Sequence, residues 1–166
     1  MAAKGIFLLC VLGMMAAMPS LADDMIGRAS VIDGDTIDIR GQRIRLHGID
    51  ASESGQACSR ADGTPWPCGR QAALALSDFL GARTVRCASN GKKSYDRLVA
   101  VCKVGDIDVA SWLAMEGWAM AARRYSSAYV DDERAARQAR RRIWQGDFVT
   151  PRDWSSRRKP LSLIHI

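Results

Sequence analysis

The stretch that decides the fold is Ile32-Asp33-Gly34-Asp35-Thr36-Ile37-Asp38-Ile39-Arg40-Gly41-Gln42-Arg43-Ile44-Arg45-Leu46-His47-Gly48-Ile49-Asp50. Asp33-Gly34 and Gly41-Gln42 are turn signals, and the residues after each alternate apolar with polar. Alternation puts Ile44 and Leu46 on one face of their strand and Arg43, Arg45 and His47 on the other. With Met25 to Ile32 ahead of the first turn, the pattern predicts three short antiparallel strands. Asp35, at a strand start, and Asp50, at the end of the third strand, then fall at one end of the sheet.

Working outward, residues 51 to 68 form a loop rich in Ser, Gly, Pro and Cys. Ala72, Ala73, Leu76, Phe79 and Leu80 recur at helical spacing and predict an amphipathic helix over 69–80. Thr84 to Cys87 and Leu98 to Cys102 read as two more strands, with a turn over 89–93. Val109 to Met115 predicts a short helix stopped by Gly117. Asp131 reads as the cap of a last helix reaching Trp144. Five strands with one helix between the third and fourth predict an α+β domain. The order is that of a five-stranded OB-fold Greek-key β-barrel with about three α-helices.

Lys4, an apolar run from Ile6 to Ala17, Pro19 and Ser20-Leu21-Ala22 predict a signal peptide over 1–22, cleaved after Ala22. The run is shorter than the ~20 residues that a bilayer anchor needs, so no stable membrane anchor is expected after processing. Leu161 to Ile166 bears no relation to the basic tail before it. It resembles a translated sequencing adapter and is set aside, leaving one domain over 23–160. The 24 Lys and Arg outnumber the 18 Asp and Glu for a net charge of +6, about +5 without Lys4, which fits an anionic partner.

Cys58, Cys68, Cys87 and Cys102 remain after processing, and their spacing matches no zinc site. In an exported chain an even count reads as disulfides, of which three connectivities exist. Cys58 with Cys68 and Cys87 with Cys102 are favoured, because each pair closes a local loop. The periplasm or the extracellular space is the expected compartment.

Each candidate site residue has a plain reading of its own: a turn for Asp35 and Asp50, a solvated strand residue for Arg45, an inert loop acid for Glu53. Their coincidence points elsewhere. Two carboxylates at one sheet end suit a hard cation, Arg45 offers parallel hydrogen bonds to a phosphate, and Glu53 is the nearest further acid. Outside the set-aside tail the one histidine is His47, so a paired-histidine mechanism cannot be assembled. Arg134, Arg137, Arg140, Arg141 and Arg142 read as a solvated face that can add phosphate contacts. Trp112, Trp118 and Trp144 read as core.

Ile32-Asp33-Gly34-Asp35-Thr36, Arg45-Leu46-x-x-Ile49-Asp50-x-x-Glu53, Tyr95-x-Arg97 and Gly117-Trp118-Ala119 occur in the order and spacing of the thermonuclease (staphylococcal nuclease-like) family. The chain resembles that family from about Arg28 to Trp144. Trp66-Pro67-Cys68-Gly69 and Phe148-x-x-Pro151-x-x-Trp154 are similar to segments of its bacterial secreted branch. The resemblance implies an OB-fold, calcium, and low-specificity endonuclease hydrolysis of DNA and RNA. It implies that Asp35, Asp50 and the carbonyl of Ala51 ligate Ca2+, that Arg45 and Arg97 bind the phosphate, and that Glu53 positions or deprotonates the attacking water. Tyr95 and Tyr125 would contact the substrate, and the protein would act as a monomer. Ala51-Ser52 replaces the family's Thr-Pro or Ala-Pro, Asp96 its glycine before the arginine, Arg123 one of two tyrosines, and Lys93 an acid. A catalytically silent OB-fold module that only binds nucleic acid is the rival reading.

Overall fold

The computed structural model describes residues 24–157. The expected signal peptide and the 161–166 tail lie outside the described residues. The chain runs β1 (Met25–Gly27), β2 (Ser30–Asp33), β3 (Thr36–Ile39), β4 (Gln42–Leu46), β5 (Ile49–Ala51), β6 (Cys58–Ser59), β7 (Pro65–Trp66), α1 (Cys68–Leu80), β8 (Val85–Ser94), β9 (Arg97–Val104), β10 (Ile107–Asp108), α2 (Val109–Met115), β11 (Ala119–Ala121), α3 (Val130–Gln138), a 3-10 turn (Arg142–Gln145) and α4 (Pro151–Arg157).

The three strands predicted from the deciding stretch form an antiparallel meander, β2-β3-β4, with Thr36 opposite Arg45 and Ile37 opposite Ile44. The main sheet continues β1-β8-β9-β4-β3-β2, with β10 against β9. Its outermost strands, β1 and β2, are separated only by Arg28 and Ala29. A sheet whose two edges are neighbours along the chain must curl on itself, and a half-barrel of OB type results. Its single parallel pairing joins β4 to β9, with Arg45 opposite Val99.

Inside the curl, Ile37, Ile39, Ile44, Leu46 and Ile49 pack against Ala72, Leu76 and Leu80 of α1 and Leu113 of α2, all of them buried. The three tryptophans assigned to the core belong to it or pack on it. Trp118 is buried, Trp112 stacks on Phe79 at 4.0 Å, and Trp144 meets Phe148 edge-on. Both local disulfides are present, Cys58–Cys68 and Cys87–Cys102, the second joining directly opposed residues of β8 and β9.

Four expectations differ. The stretch over 89–93 is not a turn but a register irregularity inside β8, with Gly91 at φ +79°. An Asn-Gly signal marks a bulge as readily as a hairpin. The real turn is Tyr95-Asp96, with Tyr95 in the left-handed region (φ +58°). The last helix stops at Gln138 rather than Trp144. Arg140 takes the left-handed position (φ +50°) of a Schellman end, with Arg141 N–H on the Ala136 carbonyl, a place glycine usually fills. Asp131 lies within that helix and does not cap it. Finally, α4 brings the α-helices among the described residues to four. It has its own start signal: the Thr150 hydroxyl takes the Asp153 N–H and donates to the Asp153 carboxylate, with Pro151 at the first helical position.

Candidate active site

β3, β4, β5 and β9 deliver the site. Asp35 precedes β3 and is buried, while Arg45 stands on the polar face of β4. Asp50 does not end the third strand, as the sequence pattern implied, but lies in β5, which pairs with β11. Gly48 makes the change of direction at φ +79°, because the ring of Tyr129 occupies the space where a Cβ would stand, 2.7 Å away. β11 then holds β5, with Met120 opposite Asp50 and Ala119 opposite Ala51. The Gly117-Trp118-Ala119 segment is thus the buttress behind Asp50.

Arg45 bridges the two acids, Nη1 to Asp35 Oδ1 at 3.0 Å and Nη2 to Asp50 Oδ1 at 2.7 Å. Asp35 Oδ1 also accepts from the Thr36 hydroxyl at 3.0 Å, and Oδ2 from Ala51 N–H at 3.3 Å. Arg97 reaches the same group from β9, donating from Nη1 to Thr36 Oγ1 at 3.2 Å. Asp35, Thr36, Arg45, Asp50 and Arg97 therefore form one hydrogen-bonded chain drawn from four strands or strand ends.

Burial sets the electrostatics. It pushes the Asp35 carboxyl up to about 7, against the pull of Arg45, with Asp33 and Asp50 adding to the rise. Asp50 is raised as well, by burial first, in spite of its contact with Arg45. For Arg45, burial opposes the charge, but Asp35 and Asp50 outweigh it and hold the guanidinium above its ordinary value. Both carboxylates are hydrogen-bonded to the same guanidinium, and their desolvation still outweighs its pull.

Glu53 follows β5 and is exposed, near enough to Asp50 to disfavour its ionised form. Its Oε1 accepts from Ser155 Oγ of α4 at 2.8 Å. Tyr95 is 87% and Tyr125 69% exposed. A shallow cleft of about 260 Å³ runs from Thr36 and Arg97 to Tyr95, with Arg43 and Asp96 along it.

The chain matches the family described as "Staphylococcal nuclease homologue" over residues 43–146. It belongs to that family. In Rhizobium meliloti (strain 1021), the protein named "Succinoglycan biosynthesis protein ExoI" is 45% identical over 98 residues, which cover 58% of this chain and 51% of that protein. The chain thus spans about half the length of that curated relative. Membership in the staphylococcal nuclease family supports a nuclease-type function. The matched stretch holds Arg45, Asp50, Glu53 and Arg97, while Asp35 and all of α4 lie outside it.

The arginines of the last helical region form the solvated face predicted, Arg134, Arg137, Arg140 and Arg142 being exposed and Arg141 half-buried, and several of them also pack on the fold. Arg137 covers Trp144 and Arg142 covers Trp118, each 4.9 Å from the ring centre, and Arg141 donates to the Met115 carbonyl. Arg134 pairs with Asp131. Arg123, at a position where the family carries tyrosine, is held by Glu133 at 2.9 Å. That glutamate is buried and also takes Ala121 N–H, so the guanidinium anchors α3 to β11. Sequence reasoning missed Thr36, Gln56, Glu133 and Ser155. None of the four has a signature of its own in the sequence; the readable signal nearby is the Thr150-Pro151-x-Asp153 start of the helix that carries Ser155. Two disulfides suit an oxidising compartment, and among the described residues no helix is long and apolar enough to cross a membrane.

Proposed function

We propose that this protein is a calcium-dependent endonuclease that hydrolyses phosphodiester bonds of DNA and RNA with low sequence specificity, working in the periplasm or outside the cell. The observation that carries the reading is Arg45 set between Asp35 and Asp50, with Arg97 joined to the same cluster through Thr36.

The donor set fits the ion. Asp35, Asp50 and the Ala51 carbonyl are all hard oxygen donors, the kind calcium takes. Among the described residues no group of three or more His, Cys, Asp or Glu gathers as a metal centre, so the two carboxylates depend on a backbone oxygen and water to complete a shell. The raised pKa of Asp35 marks a buried carboxylate lacking positive charge, which a divalent ion supplies. When bound there, calcium would lend charge to the phosphate oxygens and orient the ester.

The chain's own residues do the rest. Arg45 and Arg97 reach the phosphate from neighbouring strands and offset the negative charge that grows on its oxygens as water adds to phosphorus. Glu53, exposed beside the cluster, takes the proton of that water on a carboxylate oxygen. Tyr95, at the end of the cleft that starts at Arg97, offers a ring to a base or sugar. Tyr125 offers another. Backbone phosphate contacts of this kind carry no sequence information.

The purified protein should degrade single-stranded DNA and RNA with calcium and stop when calcium is chelated. Glu53→Gln should lower kcat by about 100-fold or more. Binding of oligonucleotides without cleavage at any calcium concentration would instead establish the silent binding module.

A further inference from the structure

We infer that Ser155 is a positioning residue for Glu53, so that α4 is the wall that aims the site's proton acceptor; this rests on the role given to Glu53 above. The main chain of Glu53 is fixed from within its loop. Its N–H donates to Gln56 Oε1 at 3.2 Å, and its carbonyl accepts Gln56 N–H at 2.7 Å. Gly69 presses so close that a Cβ there would lie 1.7 Å from the Glu53 carbonyl oxygen. The side chain is exposed on an irregular loop, and among the described residues the Ser155 hydroxyl donates to its carboxylate at 2.8 Å. A glutamate with three rotatable bonds spreads over many rotamers unless something selects one.

α4 is built to make that selection. Gln56 is buried, and the amide that holds Glu53 N–H with its oxygen donates from Nε2 to the Val149 carbonyl at 2.6 Å. One side chain thus sets the register of the catalytic loop and of the segment leading into α4. Ser59 N–H adds a second tie to the Asp147 carbonyl at 2.8 Å. Pro151 is buried, and Thr150 with Asp153 caps the helix, so Ser155 arrives on a short rigid lever. A turn earlier on α4, Arg152 lies near enough to Asp50 to favour its charged form. The hydroxyl donates a single proton to Oε1, which leaves Oε2 for water. Ser155 therefore orients the acceptor without blocking it.

The test is Ser155→Ala and Ser155→Thr in the full chain, alone and with Glu53→Gln. Ser155→Ala should lower kcat about tenfold with KM unchanged, the scale of one hydrogen bond to a charged group. Thr should restore most of the rate, and Ala should cost nothing further in the Glu53→Gln background. Independently of turnover, NMR couplings in calcium-free protein should report one Glu53 χ1 rotamer in the wild type and averaging in Ser155→Ala. An unchanged or faster rate in active protein, equal losses in kcat and 1/KM without rescue by Thr, or a Glu53 rotamer indifferent to Ser155 would each overturn the inference. A wild type that cleaves nothing refutes the nuclease reading, while the couplings still decide whether Ser155 holds Glu53.

Discussion

Replacing Asp35 by Asn should stabilise the calcium-free protein at neutral pH while abolishing its activity. Burial lifts the Asp35 carboxyl from 3.8 to about 7, so between those values the folded chain keeps a proton that the unfolded chain releases. The carboxyl's contribution is therefore fully favourable below about pH 4 and is lost as the pH rises through 7. At 1.36 kcal/mol per unit the loss grows from about pH 4 upward and levels near 4 kcal/mol above pH 7. Asparagine has nearly the same shape and no charge to desolvate. Its carbonyl oxygen still accepts from Arg45 and Thr36, but its Nδ2 faces Ala51 N–H where Oδ2 accepted it at 3.3 Å. That lost hydrogen bond costs about 1 kcal/mol. The variant should thus be slightly less stable than wild type at pH 4, equal to it between about pH 4 and 5, and more stable by roughly 3 kcal/mol at pH 8. Urea unfolding in a calcium chelator, followed by tryptophan fluorescence at four pH values, measures the difference. A constant offset at every pH, or a variant less stable at pH 8, would refute the argument that Asp35 is a carboxylate desolvated for the sake of its ligand.

Gly69→Ala forces a methyl into the Glu53 carbonyl, and should cost about 1–3 kcal/mol of stability together with a fall in kcat larger than the change in KM. Replacing Cys87 and Cys102 by Ala opens a 15-residue link and should lower the urea unfolding free energy by about 3 kcal/mol, with activity retained below the transition. Glu133→Ala leaves Arg123 and Ala121 N–H without their buried acceptor and should destabilise by about 3 kcal/mol, seen as a lower Tm in calorimetry. Arg45→Lys cannot span Asp35 and Asp50 with two parallel bonds, and should reduce kcat by about 100-fold in a nuclease assay.

The barrel was legible because it rests on alternation: Ile37, Ile39, Ile44 and Leu46 are all buried, as their period requires. The disulfides were legible because both are local. What escaped is long-range. Asp50 lies in its own strand because of Gly48 and Tyr129, residues 81 positions apart that no local pattern connects. The end of α3 was misplaced because an arginine took a left-handed position without the glycine that announces one. The charge run was read correctly as an exposed face, but that Arg137 and Arg142 also lie over Trp144 and Trp118 was not legible, because those rings come from other turns of the chain. At the site, residue type and position along the strands brought Asp35, Arg45 and Asp50 together and the family resemblance added Arg97; Arg45 bonds both acids, and Arg97 bonds Thr36 beside Asp35. Ser155 left no trace, because one serine in a polar tail has no signature until the helix that carries it docks.

Arg45 and Arg97 stand on the two strands that meet in the sheet's only parallel pairing. No hairpin can form that contact early, since parallel neighbours need a long crossover and everything from β5 to β8 intervenes. A nascent or loosened chain can hold its meander, its β8-β9 ribbon and all its helices and still have the two cations apart. Nuclease turnover is therefore a more demanding report of nativeness than circular dichroism, because it requires this long-range seam and not only the local pieces beside it.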